Sequence, residues 1–108
     1  MTAATLTISQ ARSFRARLGG LLARPPLRDD EALYLAPCAS VHTCFMRYAI
    51  DVAFLDRAGR VLKVATLAPW RAAACLGAAG TLELRAGQAA ARGITVGAVV
   101  DLGRTLST

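Results

Sequence analysis

A chain of 108 residues and 11.3 kDa is too short for two catalytic units, so we expect residues 1–108 to fold as a single domain. Its 15 leucines and recurring apolar runs exclude low-complexity disorder, and the longest uncharged stretch, residues 32–46, is too short to span a membrane. The 13 basic residues against 7 acidic ones give a net charge of +6, but the arginines are scattered without interleaved aromatics, which argues against a nucleic-acid partner.

The first third of the chain predicts one strand and one helix. Thr5–Ser9 has the β-branched alternation of a short strand. Ser9 is a suitable N-cap for a helix over Ala11–Leu22, which has leucines at helical spacing. The Pro25-Pro26 pair ends any helix, and the charged residues 28–31 indicate a loop on the surface.

The middle of the chain predicts strands, with a hairpin as its clearest feature. Leu33 and Leu35 alternate with other residue types, and Val41–Met46 forms a further extended segment. Between residues 50 and 64, two apolar alternating runs flank Arg57-Ala58-Gly59. A three-residue connection with glycine in the left-handed position is typical of a hairpin.

The last third predicts short elements. Residues 72–80 are too rich in alanine to distinguish helix from loop, whereas Thr81–Arg85 alternates as a strand does. A helical turn over Gln88–Arg92 ending at Gly93 and a final strand over Ala98–Leu102 complete the series. The predicted fold class is mainly β (α+β), a compact β-sandwich or partly closed barrel with one or two short helices.

Reactive side chains concentrate around His42, the only histidine. A Cys₃His zinc site would need Cys38, His42, Cys44 and Cys75, but their spacing contains no close cysteine pair. A nucleophilic site would use Cys38 with His42 as base and Asp51 as the orienting group. A polar pocket is the third interpretation, in which Asp51 meets solvent or pairs with an internal donor such as His42, Thr43 or Arg47. The same residues are also consistent with a purely structural hydrogen-bond network that locks the hairpin to its neighbour.

Three residues further along the chain extend the pocket interpretation. Trp70 is the only tryptophan, and such a residue is usually part of the core or of a pocket wall. Arg71 beside it is suited to holding an anion. Glu83 lies between Leu82 and Leu84 and points away from their side of the strand, where an exposed carboxylate is the commoner case.

The order of these residues resembles the core motif of a known family. The matching residues are Pro37-Cys38, Val41-His42-Thr43, Met46-Arg47, Ile50-Asp51-Val52, Phe54-Leu55-Asp56, Gly59, Val61, Leu67, Pro69-Trp70-Arg71, Leu82-Glu83-Leu84, Ala86-Gly87, Gly93 and Gly97, with Arg17-Leu18-Gly19-Gly20-Leu21-Leu22 upstream. Over about residues 10–102 the chain is similar to domain-of-unknown-function family 192.

The resemblance implies a small, mainly β bacterial or archaeal domain whose biochemical activity is not established. Many members look exported, whereas this sequence starts directly with the domain. Members often carry Gly-Asp where this chain has Gly97-Ala98, so one acidic candidate is replaced. Members also commonly have an aromatic or apolar residue at Cys44, which counts against a zinc site as a family trait.

We therefore expect a ligand-binding or accessory module with a polar pocket around His42 and Asp51, suited to an anion near Arg47 or Arg71. A hydrolase-like enzyme using Cys38, His42 and Asp51 and a structural protein-interaction domain are the alternatives. The partner is a small ligand or a protein, and no metal, cofactor, catalytic residue or oligomeric state is assigned. The candidate pocket residues are Cys38, His42, Thr43, Met46, Arg47, Asp51, Trp70, Arg71 and Glu83.

The sequence also indicates in which cellular compartment the protein resides. No basic segment followed by an apolar segment is found near Met1, as a signal peptide would require. Three cysteines cannot all pair within one chain, which suits a reducing environment. We therefore expect a cytoplasmic protein.

Overall fold

Eight strands and one short helix form the described part of the chain. The computed structural model describes residues 7–11, 27–43, 46–101 and 106–107. In chain order the elements are β1 (Thr7–Ala11), β2 (Glu31–Leu35), β3 (Ser40–His42), β4 (Ile50–Leu55), β5 (Val61–Leu67), β6 (Ala72–Ala74), β7 (Gly80–Arg85), α1 (Gln88–Ala91) and β8 (Leu106–Ser107).

The strands form a large sheet and a small one. The large sheet has the order β5-β4-β7-β2-β1-β8, in which β1 runs parallel to β2 and β8 and the other neighbours are antiparallel. β3 and β6 pair antiparallel as a separate two-stranded ribbon, residues 40–42 with 72–74. The mainly β prediction is confirmed, and within the described residues the large sheet does not close into a barrel.

The two faces of the large sheet pack against different partners. Alternation along β4 sends Ile50, Val52 and Phe54 to the face covered by the ribbon, where they cluster with Val41. The other face carries Ala53 and Leu55, which cluster with residues of α1 and of the segment after it. All six residues of β4 are buried, so this strand lies at the centre of both clusters. No helix among the described residues has the length and apolar character needed to cross a membrane.

The predicted hairpin is β4–β5. Its turn is fixed by Asp56, whose Oδ1 accepts hydrogen bonds from the backbone N–H groups of Ala58 and Arg60, both at 2.9 Å. Gly59 has φ +86°, a left-handed conformation that glycine adopts without a steric penalty. Local turn chemistry thus determines the register of the two strands, as the sequence indicated.

We expect Gly59→Ala to destabilise the fold more than the same change at Gly77. Both glycines have positive φ (+86° and +88°), so both substitutions carry a backbone penalty of about 1–2 kcal/mol. A Cβ at Gly59 would also overlap the backbone carbonyl of Val100, whereas a Cβ at Gly77 meets nothing within 4 Å. Urea denaturation of the two variants measures the difference, and equal losses would contradict the crowding at Gly59.

Other predicted elements differ from the structure at their ends. The first described strand is Thr7–Ala11, which includes Thr7–Ser9 of the predicted strand, and Ala11 belongs to a strand instead of starting a helix. Thr5 and Leu6 lie outside the described residues. The remainder of the predicted helix lies outside the described residues. The predicted strand Ala98–Leu102 is wrong over its described part, where Val99 forms only an isolated bridge with Arg60. Residues 72–74, part of a stretch too rich in alanine to distinguish helix from loop, form β6.

Candidate binding surface

The ribbon presents one side chain of the candidate set directly to solvent. In β3, Val41 is buried against the large sheet, whereas Ser40 and His42 on either side of it are exposed. His42 is opposite Ala72 of β6, which is also exposed. His42 therefore lies on the outer face of the ribbon, away from the core of the protein.

Thr43, the residue after β3, fastens the segment between β5 and β6. Its side chain is fully buried, and its hydroxyl donates to the carbonyl of Ala68 at 2.6 Å and accepts from the backbone N–H of Arg71 at 2.8 Å. Its backbone N–H donates to the Arg71 carbonyl at 2.8 Å, and its carbonyl accepts from the N–H of Trp70 at 3.0 Å. Every polar group of Thr43 thus contributes to holding residues 68–71.

These bonds hold Trp70 in an unusual backbone conformation. Trp70 has φ +63°, and among the described residues it is the only one other than glycine with positive φ. A bulky side chain in this region carries steric strain of about 1–3 kcal/mol. Trp70 is nevertheless 57% exposed, so the strain is not offset by full burial. The surrounding hydrogen bonds maintain a strained turn that presents a large aromatic side chain to solvent.

Two arginines are close along the chain to the bonds made by Thr43. Arg71 is exposed, and its guanidinium donates to the Trp70 carbonyl at 3.2 Å. Arg47 is exposed one residue after Met46, whose N–H donates to the Thr43 carbonyl at 3.1 Å, while the Met46 side chain is buried in the core. The exposed residues that lie next to Thr43 along the chain, are bonded to it, or follow a residue bonded to it are hereafter the Trp70 surface: His42, Arg47, Trp70 and Arg71.

The chain segments that form this surface contain basic residues but no acidic ones. No Asp or Glu occurs over residues 32–50 or 57–82, the two segments that contribute the ribbon and its flanking turns. Arginine remains charged at any physiological pH, and its planar group pairs with carboxylate and phosphate oxygens. The Trp70 surface therefore combines an exposed aromatic ring with guanidinium groups and no competing carboxylate from these segments.

Asp51 pairs with internal donors, which is one of the expected possibilities, but these donors are not His42, Thr43 or Arg47. Its carboxylate is 2% exposed and accepts bonds from the Thr66 hydroxyl at 2.6 Å and from two N–H groups at the start of α1, those of Gly87 and Ala89, at 3.0 Å each. Alternation along β4 points Asp51 to the face covered by α1, whereas its neighbour Val52 packs on the ribbon side. Asp51 therefore stabilises the fold on the opposite face of the sheet from the Trp70 surface.

Glu83 also differs from its expected environment. Its direction along β7 is as predicted, away from Leu82 and Leu84, but it is 2% exposed instead of being a surface carboxylate. Glu83 is in register with Val52 on one neighbouring strand and Leu33 on the other, so it lies on the ribbon side of the large sheet. The ribbon and its flanking turns bury this second face, which strand alternation alone does not reveal.

The structure does not assemble the catalytic set of the hydrolase alternative. The Cys38 thiol, partly buried, donates to the Ser40 carbonyl at 3.0 Å, and Asp51 lies on the other side of the large sheet. Cys75 is also partly buried and packs against the same core cluster as Cys38. No three His, Cys, Asp or Glu residues in the described ranges are placed to hold a metal ion, and Cys44 lies outside those ranges.

Sequence reasoning missed residues whose roles depend on tertiary register. Nothing in the sequence indicates that Thr66 and the α1 N–H groups bond to Asp51, or that the Ala68 carbonyl accepts from Thr43. Leu76, which is 98% exposed at a turn after β6, was also missed. A single large apolar residue beside Gly77 in an alanine-rich run was the available signal for that turn.

Two solved structures share this fold. A protein of unknown function from Novosphingobium aromaticivorans is 26% identical, with a TM-score of 0.75 over 86% of this chain and 73% of that one. A proposed transcription regulator from Sinorhizobium meliloti is 20% identical, with a TM-score of 0.75 over 85% of this chain and 78% of that one, and this likeness concerns the fold alone. No curated protein matches the chain.

The family assignment is consistent with the ordered motif that places Thr43, Trp70 and Arg71 together. The matching family model is DUF192, described as "Uncharacterized ACR, COG1430", and it covers residues 1–102, nearly the whole sequence. The resemblance noted from the sequence is thereby confirmed. The chain belongs to the DUF192 family.

Proposed function

We propose that this chain is a binding module that takes an anionic ligand on the Trp70 surface. The observation that carries the proposal is the strained, exposed Trp70 held in place by the buried Thr43. A turn needed only to connect two strands would be more stable with glycine or asparagine at a position of positive φ. Strain at an exposed side chain is typical of residues that contact a ligand.

The composition of the surface indicates the charge of the ligand. Arg47 and Arg71 provide donors for carboxylate or phosphate oxygens, and the Trp70 ring provides a face on which a planar or apolar group can pack. His42 adds a further polar side chain on the exposed face of β3. Asp51 has no part in this proposed site, because it lies on the opposite face of the large sheet.

Trp70 itself reports on the proposed site because it is the only tryptophan in the chain. We expect its fluorescence to change on titration with hexaglutamate or tripolyphosphate at low ionic strength, where exposed charges are least screened. Replacing both arginines, Arg47→Gln with Arg71→Gln, should weaken binding by about tenfold or more, since each forms charge-assisted contacts.

The matched control removes two positive charges at a different place on the protein. Arg57 and Arg60 are exposed in the β4–β5 turn, at the opposite end of β4 from the Trp70 surface. The pair Arg57→Gln with Arg60→Gln should leave the affinity within about twofold, since only long-range attraction is lost. If substitution of either arginine pair weakens binding equally, the anion is attracted by the net charge of the protein instead of by this surface. If Trp70 fluorescence responds to neither hexaglutamate nor tripolyphosphate, the proposal is refuted.

A further inference from the structure

The outer face of the β3–β6 ribbon has a floor of small side chains. Ala73 packs against the core, whereas Ala72 and Ala74 on either side of it face solvent. Across the ribbon they are in register with His42 and Ser40, which are exposed as well. The methyl and hydroxymethyl side chains of Ala72, Ala74 and Ser40 rise little above the backbone, so a second chain can approach closely over them, beside the larger imidazole of His42.

A large exposed apolar residue stands at each end of that floor. Trp70, 57% exposed, lies two residues before β6, and Leu76, 98% exposed, lies two residues after it. At about 3.3 Å per residue, six residues of chain reach at most about 20 Å, and the turns at Trp70 and Leu76 bring the two closer than that, within the span of a short extended peptide. Leu76 gains almost nothing from folding, which makes it available for burial against a partner.

Charge selects among the possible occupants of this face. Arg71 lies at one end, and Lys63 of β5 donates to the Ala74 carbonyl at 3.0 Å, along the side of the ribbon. With no acidic residue over 57–82, a second copy of this chain would bring like charges together. The exposed apolar residues Trp70 and Leu76 lie at two separate ends of the ribbon, which suits an extended polypeptide. A lipid surface is bound through apolar side chains gathered on one continuous face.

We propose that the outer face of the ribbon docks an extended, acidic segment of a partner protein that carries apolar side chains. The apolar side chains of the segment pack against Trp70 and Leu76, its backbone lies over Ala72 and Ala74, and its carboxylates face Arg71 and Lys63. This inference rests on the proposed function, since it names the partner of the Trp70 surface and extends that surface to Leu76.

Two synthetic peptides of about eight residues, of equal charge, test the inference, one alternating glutamate with leucine and one alternating glutamate with serine. Followed by Trp70 fluorescence, the leucine peptide should bind about tenfold more tightly, the gain expected from burying one or two apolar side chains. Leu76→Ser should remove most of that gain without affecting the fold, because the side chain is almost fully exposed. Val96→Ser is the matched control, at an apolar residue that is 68% exposed and outside the ribbon.

The outcomes distinguish failure of the docking face from failure of anion binding by the Trp70 surface. Equal binding of the two peptides, or an unchanged preference in Leu76→Ser, overturns the docking face and leaves anion binding intact. Tighter binding to phosphatidylserine vesicles or to a single-stranded oligonucleotide than to the leucine peptide overturns it in favour of a membrane or a nucleic acid. No response to the peptides, hexaglutamate or tripolyphosphate refutes both proposals together.

Discussion

Replacing Asp51 with alanine is expected to lower the free energy of unfolding by about 3–5 kcal/mol, the largest effect of any single change considered for this chain. The carboxylate is buried and accepts three hydrogen bonds, from Thr66, Gly87 and Ala89. Truncation leaves the Ala89 N–H in a buried position without its acceptor and detaches the start of α1 from β4. Urea denaturation followed by far-ultraviolet circular dichroism measures the loss.

Two further variants assign this effect to its cause. Thr66→Val removes only the partly exposed hydroxyl bond and should cost about 1 kcal/mol. Asp30→Asn removes an exposed carboxylate that lies 3.7 Å from Arg28, and a surface pair of this kind contributes at most about 1 kcal/mol. A loss for Asp51→Ala no larger than that for Asp30→Asn would contradict the structural role assigned to Asp51.

Thr43→Val is expected to cost about 2–4 kcal/mol and to change the environment of Trp70. Valine has nearly the same shape as threonine, so the cost arises from the lost hydroxyl, which bonds to the Ala68 carbonyl and the Arg71 N–H. With these bonds gone the strained turn relaxes, and Trp70 fluorescence of the folded protein should shift. The same relaxation should weaken binding of hexaglutamate even under conditions in which the variant remains folded.

Two control substitutions distinguish loss of the Thr43 hydrogen bonds from a general loss of stability. Thr43→Ser retains the hydroxyl and should preserve the Trp70 emission and the anion affinity, although it loses a buried methyl group worth about 1 kcal/mol. Thr95→Val makes the same chemical change as Thr43→Val at an exposed position and should be nearly neutral. If Thr43→Val leaves the Trp70 emission unchanged, the turn does not depend on this hydroxyl.

The features that the sequence predicted well are local ones. The β4–β5 hairpin follows from two alternating runs and a glycine that needs positive φ, all within residues 50–64. β7 and the helical turn at residues 88–91 were similarly predicted from neighbouring residues. Local chemistry decides such elements because the interacting groups are only a few residues apart.

The features that the sequence did not predict depend on contacts between distant segments. The partners of Asp51 lie 15, 36 and 38 residues further along the chain, and those of Thr43 lie 25 and 28 residues away. Alternation placed Glu83 on the correct face but could not show that the ribbon buries that face. Of the candidate residues, Thr43, Trp70 and Arg71 are joined by hydrogen bonds and Asp51 lies on the other face of the sheet, while a shared binding pocket stays a prediction.

The ribbon separates residues that hold the fold from residues that are free to change. Val41 and Ala73 face the core and tolerate little variation in volume, whereas Ser40, Ala72 and Leu76 contribute little to stability. Substitutions on the outer face can therefore accumulate without loss of folding while Thr43 continues to fix the turn beneath them. Relatives that differ at these outer positions are expected to have diverged in the partners they select while retaining one scaffold.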